Sequence, residues 1–241
     1  MDYVMLVAGA LGIGPALGLM FFTFADYTYP KVDRPFFDDR KVFGMLTVGL
    51  ILGVIMATFR LFFNMGDPLI AIMYAVFVLA VMLVILMLKR FALRLDTAFY
   101  GMALGLGIGA TMAFSLTYRS LSALIDEGSS IEGYALIVAW SFQLVLINAV
   151  AGAIIGIGSS KGRPWSYFGR ALLIQAAYYL MLLPLYNDLN EYVVVVTFIL
   201  ATVFSFYTYW YIHKKAIPDV VKDALSRMKR AKKKVKTPDK P

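Results

Sequence analysis

LDTAFYGMALGLGIGATMAFSLTY, Leu95 to Tyr118, carries glycine at 101, 105, 107 and 109 inside an apolar run long enough to cross a bilayer. An interior glycine costs a helix roughly 0.5–1 kcal/mol relative to alanine, so several of them need an offsetting contact. Gly101, Gly105 and Gly109 recur every fourth residue and line one helix face. A face without side chains lets another backbone press against it, which is how helices associate where lipid supplies no hydrophobic drive. Gly152 and Gly156 continue a stripe from Asn148 in a later run, and Gly14 and Gly18 repeat the spacing near the N-terminus. These seven glycines are predicted helix-packing positions. The runs that carry them are predicted to form the centre of a bundle.

The rest of the chain has the same character. Of its 241 residues 61% are hydrophobic and 16% charged, with a mean hydropathy of +0.75. An ordinary globular domain is about 45–50% apolar and about 25% charged. The composition predicts an all-α polytopic membrane protein with seven transmembrane helices, over residues 3–25, 43–64, 68–88, 97–118, 134–158, 168–187 and 191–212. The first run follows Met1-Asp2 without a basic segment or a small-residue cleavage site and reads as a retained span.

Basic residues sort the connections. Lys31, Arg34, Arg40 and Lys41 follow the first span, Lys89, Arg90 and Arg94 the third, and Lys161, Arg163 and Arg170 the fifth. Residues 65–67 and 188–190 carry none, and 119–133 has Arg119 beside Asp126, Glu127 and Glu132. The positive-inside rule then puts the N-terminus outside and the C-terminus in the cytoplasm of a multi-pass cell-membrane protein.

Residues 1–213 form the predicted transmembrane domain and 214–241 a basic tail, with eleven of the chain's 23 Lys and Arg against three acids. Val221, Leu225 and Met228 give the tail one apolar stripe, so an amphipathic helix is expected over about 218–235. Lys229, Arg230, Lys232, Lys233, Lys234 and Lys236 are its expected contacts to anionic lipid headgroups. No aromatics interleave with them for base stacking, so ribosomal RNA is the only nucleic-acid contact in view.

Ionisable residues inside a membrane mark function, and the predicted spans hold almost none. Arg60, near the outer end of the second span, is the clear case, expected to be neutralised by Asn64 and Asp67 or to act as an anchor. The single histidine, His213, closes the last span as a cap or headgroup contact. Lacking cysteine, and with one histidine, the chain offers no thiol chemistry, no metal site and no haem, and no cofactor is expected. Thr111, Ser115 and Ser141 have no base in view and are expected to bond to helix backbone.

Three segments carry a family resemblance. GALGIGPALGLMFFTFADYTYPKVDRPFFDDRKVFGMLTVGLILG resembles the opening of the PrsW-type intramembrane proteases. Asp96, Tyr100, Gly101, Gly105, Leu106 and Gly107 are similar to that family's Asp-x-x-x-Tyr-Gly…Gly-Leu-Gly segment, and INAVAGAIIGIG to its small-residue helix. The resemblance implies an intramembrane-protease fold without its chemistry. The family's Glu-Glu-x-x-Lys motif is missing from DPLIAIMYAVF, Met112 stands where a glutamate is expected, and Asn148 and Gln175 stand near the family's histidines. None of these can activate water at neutral pH.

The implied protein is a non-catalytic scaffold, comparable to the Aph subunit of gamma-secretase, that binds another membrane protein or a transmembrane segment. A transporter or channel for a neutral or lipid-like substrate would instead use the intramembrane amides Gln143, Asn148 and Gln175. A ribosome-associated insertion factor would use the tail and Arg60. At 1.5 Å per residue Asn148 and Gln175 both lie roughly 20 Å below the outer surface and are expected to meet. Met112 is expected to lie too near the outer face to join them.

Overall fold

In a computed structural model the structure describes residues 3–28, 31–32, 36–127, 131–187, 189–223 and 225–226. Helices account for every regular element among them: α1 Tyr3–Phe24, α2 Asp39–Phe62, α3 Pro68–Leu86, α4 Thr97–Glu127, α5 Ile131–Ser160, α6 Pro164–Met181, α7 Leu183–Tyr186 and α8 Glu191–Tyr211. The starts follow local chemistry. The Asp38 carboxylate accepts from Arg40 N–H ahead of α2, and that of Asp67 accepts from Leu69 N–H ahead of α3, where Pro68 needs no donor.

α4 and α5 form the centre: 78% of the most apolar stretch of each is buried, against 28% in α1 and in α8. Their glycines face each other at backbone contact. A Cβ on Gly101 would stand 2.3 Å from the Gly152 carbonyl oxygen, one on Gly105 2.1 Å from that of Asn148, and one on Gly156 2.5 Å from that of Thr97. Gly109 meets Val145 Cα, 2.8 Å from where its own Cβ would be. Gly107 lies on another face of α4 and admits α2, where its Cβ would stand 2.3 Å from the Leu46 oxygen. The glycines of the opening stretch thus serve two neighbours at once.

Gly14 and Gly18 correct the reading of α1. Both are exposed and nothing stands within 4 Å of a Cβ on either. The packing face of α1 is Ala8, Gly12, Ala16 and Met20, and a Cβ on Gly12 would stand 2.7 Å from the Ala110 oxygen. The four-residue spacing is the same, but two residues of offset turn it by about 200° around the helix at 3.6 residues per turn.

Among the described residues six helices are long and apolar enough to cross a membrane, one fewer than the seven predicted spans. The remaining pass is made in two pieces, because α6 stops at Met181 and α7 begins with Pro184 in its first turn. Together α6 and α7 run from one end of the bundle to the other. Asn187 just beyond them donates from Nδ2 to Gly66 O in the α2–α3 turn at 2.9 Å.

At the opposite end the basic connections gather. Leu93 N–H donates to Ser159 O at 3.2 Å, Ser159 Oγ donates to Leu86 O at 2.7 Å, and Lys161 pairs with Asp223 at 3.8 Å. Asp38 N–H donates to Tyr100 Oη at 3.2 Å, while Tyr100 Oη donates to Asp96, which also receives the Arg94 guanidinium. Phe24, Phe37 and Phe99 pack ring against ring beside them.

The tail also departs from expectation. The last helix does not end at residue 212 but runs on through a π turn, Ile212–Ala216, to Asp223. Ile217 N–H bonds back to Ile212 O, and Pro218 then follows with no N–H to place. Ile217, Val220 and Val221 are the buried positions of this extension, whereas Leu225 is exposed. Val220 packs on Ala98 and Ile157 of the bundle itself. His213 is buried, its ring 5.1 Å from that of Phe22, so it packs on α1 rather than capping a span. Met228 and the headgroup-contact residues Lys229, Arg230, Lys232, Lys233, Lys234 and Lys236 lie outside the described residues.

The backbone contact predicts that Gly105→Ala costs about 1–3 kcal/mol by overpacking. It is read as a lower midpoint of thermal unfolding in detergent, with Gly14→Ala, which meets nothing, leaving the midpoint unchanged or slightly higher.

Candidate functional site

The glycine contact fixes the heights of α4 and α5, and with them a polar layer. Met112 projects from α4 and Asn148 from α5, and the Asn148 Nδ2 donor stands 3.9 Å from Met112 Sδ. From α6, Gln175 Nε2 lies 3.5 Å from Asn148 Oδ1. From α3, Tyr74 Oη stands 3.9 Å from the same sulfur while donating to Met56 O at 2.9 Å. Asn148 and Gln175 meet as expected from their depth. The depth estimate for Met112 is corrected: α4 continues nine residues past Tyr118 to Glu127, which places Met112 well below the helix end.

Met112 also forms the floor of a cavity of about 460 Å³ at the end of the bundle away from the basic connections. Arg60, Ser115, Arg119, Trp140 and Tyr186 line it, and no carboxylate does among the described residues. Arg60 is half-buried, and its guanidinium donates to Tyr186 Oη. The same group lies over the rings of Trp140 and Tyr186, at 5.6 and 5.8 Å. Its expected neutralisation by Asn64 and Asp67 is replaced by aromatic faces. Asn64 Oδ1 accepts from Gly66 N–H, and the Asp67 carboxylate caps α3. A ring quadrupole stabilises a cation by about 0.5–2 kcal/mol, more where water is thin.

Behind the cavity wall lies a group of polar atoms with spare capacity. Trp140 and Tyr178 face each other here, as do Gln175 and Tyr179, and Trp140 Nε1, Gln175 Oε1, Tyr178 Oη and Tyr179 Oη are buried without a well-formed hydrogen bond. Each such atom costs roughly 1–3 kcal/mol unless something else meets it. Residues 175, 178 and 179 share one face of α6 at helical spacing. Sequence reasoning missed Tyr74, Trp140, Tyr178, Tyr179 and Tyr186. The available signal was a polar-tipped aromatic in mid-span, which needs a partner for its N–H or O–H.

The remaining polar positions serve packing. Gln143 Nε2 donates to Thr202 Oγ1 on α8 at 2.6 Å. Thr111 reaches across to Leu50 O at 3.0 Å, and Thr117 and Ser141 bond to each other, so these hydroxyls join helices rather than only bonding to their own. Asp96 and Tyr100 belong to the cluster at the basic end, Tyr100 about 18 Å from Met112 along α4. No family model, curated protein or solved structure matches the chain.

The aromatic clamp predicts a measurable coupling between Arg60 and Tyr186. A double-mutant cycle of Arg60→Leu and Tyr186→Phe, read by unfolding in detergent, is expected to give about 1.5–3 kcal/mol, the range of a charge-assisted hydrogen bond.

Proposed function

We propose that this protein is a non-catalytic, PrsW-like scaffold of the cell membrane that holds another membrane protein or a transmembrane segment without cutting it. One observation carries the reading. The three positions at which the resemblance expects a glutamate and two histidines come from three different helices and meet, as Met112, Asn148 and Gln175, beneath an open cavity. A thioether and two carboxamides neither titrate near neutral pH nor activate water, so the arrangement binds and does not hydrolyse. The glycine stripes of α4 and α5 are spent inside the chain, which leaves the cavity as the receiving surface. The N-out, C-in topology turns this cavity to the outside, since the basic connections lie at the other end.

A photo-reactive amino acid at Ser115, inside the cavity, should give a discrete protein adduct in native membranes. The same group at the lipid-facing Val203 should give none. Equal adducts from both positions would overturn the scaffold reading.

The transporter reading has one observation in its favour: about 460 Å³ lies within the roughly 300–1,000 Å³ of small-molecule sites. In proteoliposomes holding a fluorescent phosphatidylcholine, the scaffold predicts that dithionite bleaches the outer leaflet alone. Bleaching of the inner leaflet would favour transport of a lipid-like substrate.

A further inference from the structure

A second cavity, of about 440 Å³, opens at the basic end between α6 and α8, over α5. Its inner wall is apolar: Val150, Ile154 and Ile157 run along α5, and Ile174 faces them from α6. The trough extends from Val150 to Lys161, eleven residue steps or about 16 Å along α5. Its mouth is polar and aromatic. Arg170 stands there with its guanidinium 4.8 Å over the Tyr167 ring and no carboxylate partner among the described residues. Tyr207 and Tyr211 line the same mouth from α8, and Lys215 lies over the Tyr211 ring at 5.8 Å. Asp219 is also in the lining, and Asp223 takes up Lys161 at 3.8 Å. Three cations thus face two acids; of the three only Lys161 is paired with a carboxylate among the described residues, and Arg170 is the one with a planar fork of donors.

An apolar trough of this length, with tyrosines and a free arginine where it meets the headgroup region, has the two-part chemistry of a phospholipid. We propose that the cleft between α6 and α8 is a phospholipid site that selects anionic headgroups. The phosphate sits on Arg170, and one acyl chain lies along α5 from Lys161 towards Val150. Arginine meets phosphate with a planar fork of donors, and the leaflet at the basic end is the one rich in anionic lipid. The site is separate from the far-end cavity and from the basic residues beyond 226, so it stands whether or not the scaffold reading does.

The test is native mass spectrometry of the full chain released from detergent holding equal amounts of phosphatidylglycerol and phosphatidylcholine with the same acyl chains. The wild-type protein should retain one phosphatidylglycerol, about fivefold over phosphatidylcholine, the ratio given by one basic residue facing a lipid of net negative charge, since choline cancels the phosphate charge of the other. Arg170→Gln should abolish that preference. Ile174→Trp, which fills the trough and leaves every charge in place, should lose both lipids. Phosphatidylglycerol retained by Ile174→Trp would place the lipid elsewhere, on the basic tail, and overturn the proposal. Equal retention of the two lipids by the wild-type protein would overturn it too, as would displacement by millimolar inorganic phosphate, which would mark a soluble-anion site.

Discussion

The backbones of α4 and α5 touch, and most of the structure follows from that contact. Where a Cβ on Gly105 would stand 2.1 Å from a carbonyl oxygen, no other residue fits without displacing main chain. The helix propensity lost at each glycine is recovered in dispersion contacts along two backbones, a gain that lipid cannot offer either helix alone. Because Gly107 opens a second face to α2, and Gly12 brings in α1, one helix takes three neighbours at close range. The result is a centre buried on all sides and a rim of helices half open to lipid.

Close backbone contact also removes freedom of height. Gly101 on Gly152 and Gly105 on Asn148 hold α4 and α5 in register, and a slide of one turn would drive side chains into main chain. The polar layer depends on this register. Met112, Asn148 and Gln175 meet because three helices are held at fixed depths, and amides at one depth find each other where water is absent. The cavity above them is shaped by the same constraint, since α4 gives it both its floor, Met112, and much of its wall, with the end of α2, Trp140 of α5 and Tyr186 of α7 closing it.

The two ends of the bundle are built differently. The basic end is fastened by a run of hydrogen bonds and an aromatic cluster, with Tyr100, Asp96 and Arg94 tying the start of α4 to the residues before α2. The far end is held by one arginine against aromatic rings and by Asn187 on the α2–α3 turn. Open volume of about 460 Å³ remains there, so the far end has room for a ligand or a partner segment.

Much of the fold was legible in the residues. Apolar runs of bilayer length gave the helices, because a span must be apolar over its whole length whatever it packs against. Repeats of glycine at four residues gave the α4–α5 contact, since only the missing Cβ permits it. The same spacing in α1 chose the wrong face: Gly12 and Gly14 are equally small, and only the neighbour Ala110 distinguishes them. Helix ends were less legible, and α4 and α8 both run beyond the apolar segment that announces them, held by contacts instead of hydropathy. The sequence by itself determined which residues had to leave water and which glycines could let backbones meet. Tertiary structure alone decided that Met112 joins the layer of Asn148 and Gln175, and that Arg60 rests on Trp140 and Tyr186. Those meetings depend on the register between helices far apart in the chain, which no single helix encodes.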